Sequence, residues 1–215
     1  MKIKNRLLPV VMSVLLLSAC GVDVEEQDSL KESAITQMDA GEYEKALAQI
    51  NEAISLAGSK VTAREIDLNY YKGACQSGME DYDDAIATYS ALIEYDAKDE
   101  KAYFLRACAK VKNGDVEGAV SDFKDAFSLS GDDEMLLQGF ISLVAEGYTD
   151  EAKAFFEETK DSMTDRARVL YEQISVMESE GNFTAALRAA EEYLKLKPED
   201  ELVSREYDFL RSVAE

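Results

Sequence analysis

Histidine is absent from this chain, and so is tryptophan. Losing histidine removes the commonest general base and the commonest metal ligand together. Cysteine occurs only at positions 20, 75 and 108, with no Cys-x-x-Cys pair and no zinc spacing. Proline occurs twice in 215 residues, so little interrupts a helix. Positive charge is scarce: 23 Lys and Arg stand against 44 Asp and Glu, a formal charge of −21. Such a surface repels phosphate backbones and argues against nucleic acid as a partner. Glycine-rich phosphate loops, nucleophile elbows and paired catalytic acids are missing too. The acidic runs DYDD (81–84) and SGDDE (130–134) lack the alternating ligands, central Gly and closing Glu of a calcium loop. They read as helix starts, where acids favour the dipole and cap free N–H groups. Cys75 and Cys108, set among Ala and Gly, read as small apolar residues. No cofactor, metal or catalytic residue is expected, and the chain is not expected to be an enzyme.

Long apolar runs are also wanting, with one short exception. MKIKNR carries Lys2, Lys4 and Arg6, and LLPVVMSVLLLSA follows without a charge. Thirteen residues are too few to span a bilayer, which takes about 20. A basic start and a short apolar core are the plan of a secretory signal. The segment ends in Leu17, Ser18, Ala19 and Cys20. This resembles the lipobox of bacterial lipoproteins, which implies cleavage before Cys20 and a diacylglyceryl group on its sulfur. The resemblance implies an extracytoplasmic protein anchored to a bacterial membrane by lipid. Removing residues 1–19 takes away three positive charges and leaves −24. GVDVEEQD then predicts an acidic, poorly ordered tether over 20–28.

What the chain has in abundance is Ala, Leu, Glu, Lys and Asp, which favour helix. It also repeats itself. GEYEKAL, EDYDDAI, GDVEGAV, GYTDEAK and GNFTAAL place Ala46, Ala85, Ala119, Ala152 and Ala186 at spacings of 39, 34, 33 and 34. Such a period signals a repeat architecture. Apolar positions at 0, +4 and +7 from each alanine mark one face of a second helix, as in 43–57 and 183–197. A first helix precedes each, clearest at 66–79, 101–113 and 167–180. Gly41, Gly114, Gly147 and Gly181 stand at the turn, where a left-handed cap suits glycine. Tyr43, Tyr82 and Phe183 follow the turn and are expected to pack back on the first helix. The extra residues around 61–65 are expected to lengthen the first helix of unit two.

The period, the G-x-Y/F-x-x-A core, the aromatic four residues on and Pro198 resemble the tetratricopeptide repeat family over about 29–200. Units two and three fit best, with Gly73 and Ala107 at the small position twelve before the alanine, and unit one has Ala34 there. Units four and five depart from it with Phe140 and Ile174, and unit four also has Thr159 in place of a second small residue. The resemblance implies an all-α, right-handed superhelix of about five helix hairpins. Residues 201–215 would add a capping helix, with Leu202, Tyr207, Leu210 and Val213 inward and Arg205, Glu206 and Arg211 outward.

The resemblance further implies a concave groove, lined by the first helices, that binds a protein or peptide segment. Counting back from each alanine, the groove candidates are Tyr70, Phe104, Leu137 and Tyr171 at fifteen, Ile141 at eleven and Val111 at eight. The alternative for the same residues is packing between repeats. The family's basic clamp for a terminal carboxylate is not matched here. The partner expected is apolar with some basic character, given the charge. Three roles stay open: an envelope adaptor or scaffold, a structural subunit of an envelope assembly machine, and a solute-binding lipoprotein, for which an open superhelix offers little enclosed space.

Overall fold

The computed structural model describes residues 24–58 and 61–214, and all regular elements there are helical. In chain order they are α1 (Val24–Asp39), α2 (Tyr43–Ser55), α3 (Ala63–Gly78), α4 (Tyr82–Tyr95), α5 (Glu100–Lys112) and α6 (Val116–Ser130). Then come α7 (Asp133–Ala145), α8 (Thr149–Thr159), a 3-10 turn at Lys160–Ser162, α9 (Arg166–Ser179), α10 (Phe183–Leu196) and α11 (Glu201–Val213). Consecutive pairs form five hairpins, each first helix packs on the second helix of the unit before it where units one to four adjoin, and α11 packs on α10. This is an α-solenoid.

The hairpins close because each repeat carries a tight left-handed turn. Gly114 adopts φ 82°, its N–H reaches the Val111 carbonyl at 3.1 Å, and the Asp115 N–H reaches Lys110 at 2.9 Å. These bonds satisfy carbonyls that the end of α5 would otherwise leave free. Unit two builds the same turn without glycine: Glu80 takes φ 64°, with Glu80 N–H to Ser77 at 3.1 Å and Asp81 N–H to Gln76 at 2.9 Å. The next residues supply the caps. The Asp115 carboxylate accepts from the Gly118 N–H, and the Asn182 amide oxygen accepts from the Ala185 N–H.

Ala46, Ala85, Ala119, Ala152 and Ala186 are all fully buried. They let paired helices approach, and in units two to four the aromatic four residues on (Tyr89, Phe123 and Phe156) is buried beside them. In unit two the approach is closest at Gly73, where a Cβ would stand 2.6 Å from the Tyr89 ring. Unit three holds a buried ion cluster: the Arg106 guanidinium donates to both oxygens of Asp122 at 2.7 and 2.8 Å and to Ser90 Oγ at 3.0 Å, with Lys110 Nζ 2.9 Å from Asp122. Arg106 thereby ties α5 to both α4 and α6.

Two expectations need correction and one is extended. The stretch expected as a tether is helical from Val24 on, because Gln27 is buried and its amide donates to the Ala53 carbonyl at 2.9 Å, while Asp28 pairs with Arg64. The Tyr43 ring lies against Gly78 in α3, the next unit's first helix, rather than only within its own hairpin. In α11, Val203 and Leu210 are buried, whereas Leu202 (71% exposed) and Val213 (41%) face out. Tyr207 and Leu210 pack inward as expected, and Val203 takes the place expected of Leu202. The longer first helix in unit two is present: α3 runs 16 residues against 13 in α5, opened by a Thr62–Glu65 capping box.

Candidate inner-face binding groove

Among the first helices, α1 packs beside α3 and α5 beside α7. Fifteen residues before its alanine, Tyr70 is half-buried. Its hydroxyl donates to the carboxylate of Asp99, the N-cap of α5, and the Lys101 ammonium sits 4.0 Å from its ring centroid. Burial and the Asp99 charge hold its hydroxyl well above the ordinary tyrosine range. Phe104, at the same position in unit three, is half-buried with its ring 5.7 Å from Phe123. Ile141 is 38% exposed and Tyr171 is 45% exposed, so both present apolar surface. The Tyr171 ring stands 6.0 Å from that of Tyr193.

Leu137 and Val111 do not belong to this surface. Leu137 is 1% exposed and Val111 fully buried, in one cluster with Phe123, Phe140 and Phe156. The cause in unit four is local. Phe140 occupies the position that is small in units two and three, and packs at 5.6 Å on Phe156. Gly139 lets α7 settle against unit three, since a Cβ there would stand 2.8 Å from the Phe123 ring. Leu137 is drawn into that contact, and Ile141 is left as the unit's outward residue. Val111, near the end of α5, is covered where α7 lies alongside. For these two residues the packing alternative is the correct one.

At the far end of the face a cavity of about 170 Å³ opens between α9 and α11, lined by Tyr171, Ile174, Ser175, Glu178, Leu202, Val203 and Glu206. Glu178 bonds to Glu206, and burial together with this neighbouring carboxyl raises it to about 7. Sequence reasoning placed Glu206 on the outer side of a cap and Leu202 in the core. The signal that relocates them is the match of Asp200-Glu201 to Asp99-Glu100: α11 starts as a first helix does and packs on α10.

The repeat-signature residues have structural roles, as their burial and turn geometry show. Burial pushes the thiols of Cys75 and Cys108 up to about 11, where a thiolate is scarce near neutral pH. Among the described residues no group of three or more acids and thiols is arranged to hold a metal ion, and no helix is long and apolar enough to cross a membrane. Cys20 and the lipobox lie outside the described residues.

Residues 77–133 match the tetratricopeptide repeat family model. Solved structures share the fold. A tetratricopeptide repeat protein from Parabacteroides merdae is 15% identical, with a TM-score of 0.57 over 88% of this chain and 74% of that one. A thermophilic tetratricopeptide repeat protein of Thermus thermophilus is 17% identical, with a TM-score of 0.53 over 86% and 98%. PcrH from Pseudomonas aeruginosa is 21% identical, with a TM-score of 0.50 over 59% and 95%. At such identities the likeness concerns architecture alone.

Proposed function

We propose that this chain, a solenoid with tetratricopeptide repeats at its centre, is a non-enzymatic adaptor or scaffold that holds a protein or peptide segment along its inner face. The observation carrying this reading is the recurrence of half-buried or exposed apolar side chains at groove positions of successive first helices: Tyr70, Phe104, Ile141 and Tyr171. Three of them share one register and Ile141 lies one helical turn further along its helix, so together they make a row that an extended or helical segment can follow. The charge of −21 adds that the segment carries Lys or Arg beside its apolar residues, so that binding weakens with salt. We place the protein outside the cytoplasm, held to a bacterial membrane by lipid on Cys20, because the LSAC site follows a basic start and a short apolar core. Two acyl chains give stable anchoring where one does not.

The test of the groove is Phe104→Ala with Ile141→Ala, after confirming that the variant keeps its helical signal and melting transition. Crosslinked capture from native membranes should lose the partner seen with wild type. Equal capture by the folded variant removes the groove reading. For the anchor, Cys20→Ala should move the chain from the membrane to the soluble extracytoplasmic fraction or leave its signal uncleaved. A lipid-modified membrane species in that variant contradicts the assignment.

A further inference from the structure

The inner face carries one tyrosine position twice with different surroundings. The shift of 101 residues that carries Ala85 onto Ala186 carries Tyr70 onto Tyr171, Asp99 onto Asp200 and Lys101 onto Leu202. In unit two the site is complete within the chain: Asp99 takes the Tyr70 hydroxyl and Lys101 lays its ammonium 4.0 Å from the ring centroid. In unit five the parts are distributed otherwise. Asp200 accepts from the Tyr193 hydroxyl at 2.7 Å, Leu202 has no charge to offer, and Tyr171 stays 45% exposed. The same shift replaces Ser77 by Glu178 and Leu105 by Glu206. The cation supplied internally in unit two is thus replaced by two carboxyls beside an open aromatic ring.

Glu178 is poorly served by the chain itself. Glu178 Oε1 is shut off from solvent and has no hydrogen-bond partner, and the other bond of the pair is to a like group, Glu206. A buried acceptor without a donor is uncommon in folded proteins. The titratable groups lining the cavity are Tyr171, Glu178 and Glu206, and no basic residue lines it. The cavity's remaining walls, Ile174, Val203 and Leu202, suit an alkyl stem.

We propose that this cavity between α9 and α11 receives a lysine side chain of the bound segment, its ammonium between Glu178 and Glu206 and its stem against Tyr171 and Leu202. The proposal rests on the inner-face reading and names what one end of the groove recognises. An ammonium supplies donors to both carboxylates, and the face of Tyr171 adds cation–π attraction. The carboxyl pair holds a proton near neutral pH, and binding of the cation releases that proton to solvent. Affinity therefore rises with pH across the range in which Glu178 titrates.

The probe is a fluorescent peptide, acetyl-Leu-Lys-Leu-Leu-Lys-Leu-amide, compared with the same peptide carrying norleucine for lysine. Anisotropy is measured with the full-length chain at constant salt from pH 6 to 8. The lysine peptide should bind more tightly than the norleucine peptide, and about tenfold more tightly at pH 8 than at pH 6, as release of one proton near pH 7 requires. Glu178→Gln with Glu206→Gln should weaken it at pH 8 and flatten the pH profile. Glu44→Gln with Glu52→Gln on α2, an equal change of charge elsewhere, should keep the profile. The inference is overturned if the Glu178/Glu206 variant keeps wild-type affinity and profile, or if the norleucine peptide binds as well as the lysine peptide. Should the Phe104/Ile141 variant then lose binding while the Glu178/Glu206 variant does not, the groove reading stands without this site. Should neither lose it, both fall.

Discussion

At the scale of single residues, the fold depends on where side chains are withheld. Ala119 is fully buried at the contact between α5 and α6, and any added atoms there must displace a neighbouring helix. Ala119→Leu should cost about 1–3 kcal/mol by overpacking and lower the melting temperature by several degrees. Tolerance within about 0.5 kcal/mol, as at an exposed helical site, would contradict the assigned register. Glu80 is the converse case. It holds a left-handed φ of 64° in a turn that four other hairpins give to glycine. Glu80→Gly should raise stability by about 1 kcal/mol, the usual scale of strain for a side chain in that conformation. Calorimetry distinguishes this from a loss, which would mean that the Glu80 side chain makes a contact worth more than the strain. Both positions were legible in the sequence through the repeated heptapeptide. The buried cluster of Arg106, Asp122 and Lys110 was not, because charged residues on a helix ordinarily mark its wet face.

At the scale of elements, helix ends were read to within a few residues because turn glycines and acidic caps punctuate the chain. Helix faces were read less well. The period places α7 and α11 but leaves open which residue near the helix start turns inward. In α7 the close approach at Gly139 settled it, and Leu137 went inside; in α11 Val203 took the place expected of Leu202. The docking of α11 against α9 has a pH signature. Burial and Glu206 raise Glu178 to about 7 from an ordinary 4.5, so the folded chain holds a proton that the unfolded chain has already released. Its stabilisation is full below pH about 4.5 and is lost as pH rises through 7. Thermal melting should therefore decline from pH 5 to pH 8, and Glu178→Gln should decline less over that range. Asp200, whose carboxylate is held below its ordinary range by the Tyr193 hydroxyl and backbone N–H groups, acts the other way and only in acid. Parallel melting curves for wild type and Glu178→Gln from pH 5 to 8 would remove the shared proton from the account.

At the scale of the whole molecule, no hairpin of about 34 residues buries its apolar faces alone, and the stack supplies the missing cover. The buried clusters follow the stack: one spans units three and four, and another joins unit five to α11. Repeat number and hairpin order were legible in the sequence, because a period survives local departures such as Phe140 and Thr159. The groove's far end was not, since it depends on reading α11 as a sixth first helix rather than as a lid. The central claim is that the partner lies on the inner face. A photocrosslinking residue placed singly at Ile141 and Tyr171 addresses it, with Ser121 on α6 and Glu158 on α8 as exposed positions on second helices. The account predicts one common crosslinked partner from Ile141 and Tyr171, weakened by salt, and none from Ser121 or Glu158. Crosslinks to that partner from the second helices alone would contradict it.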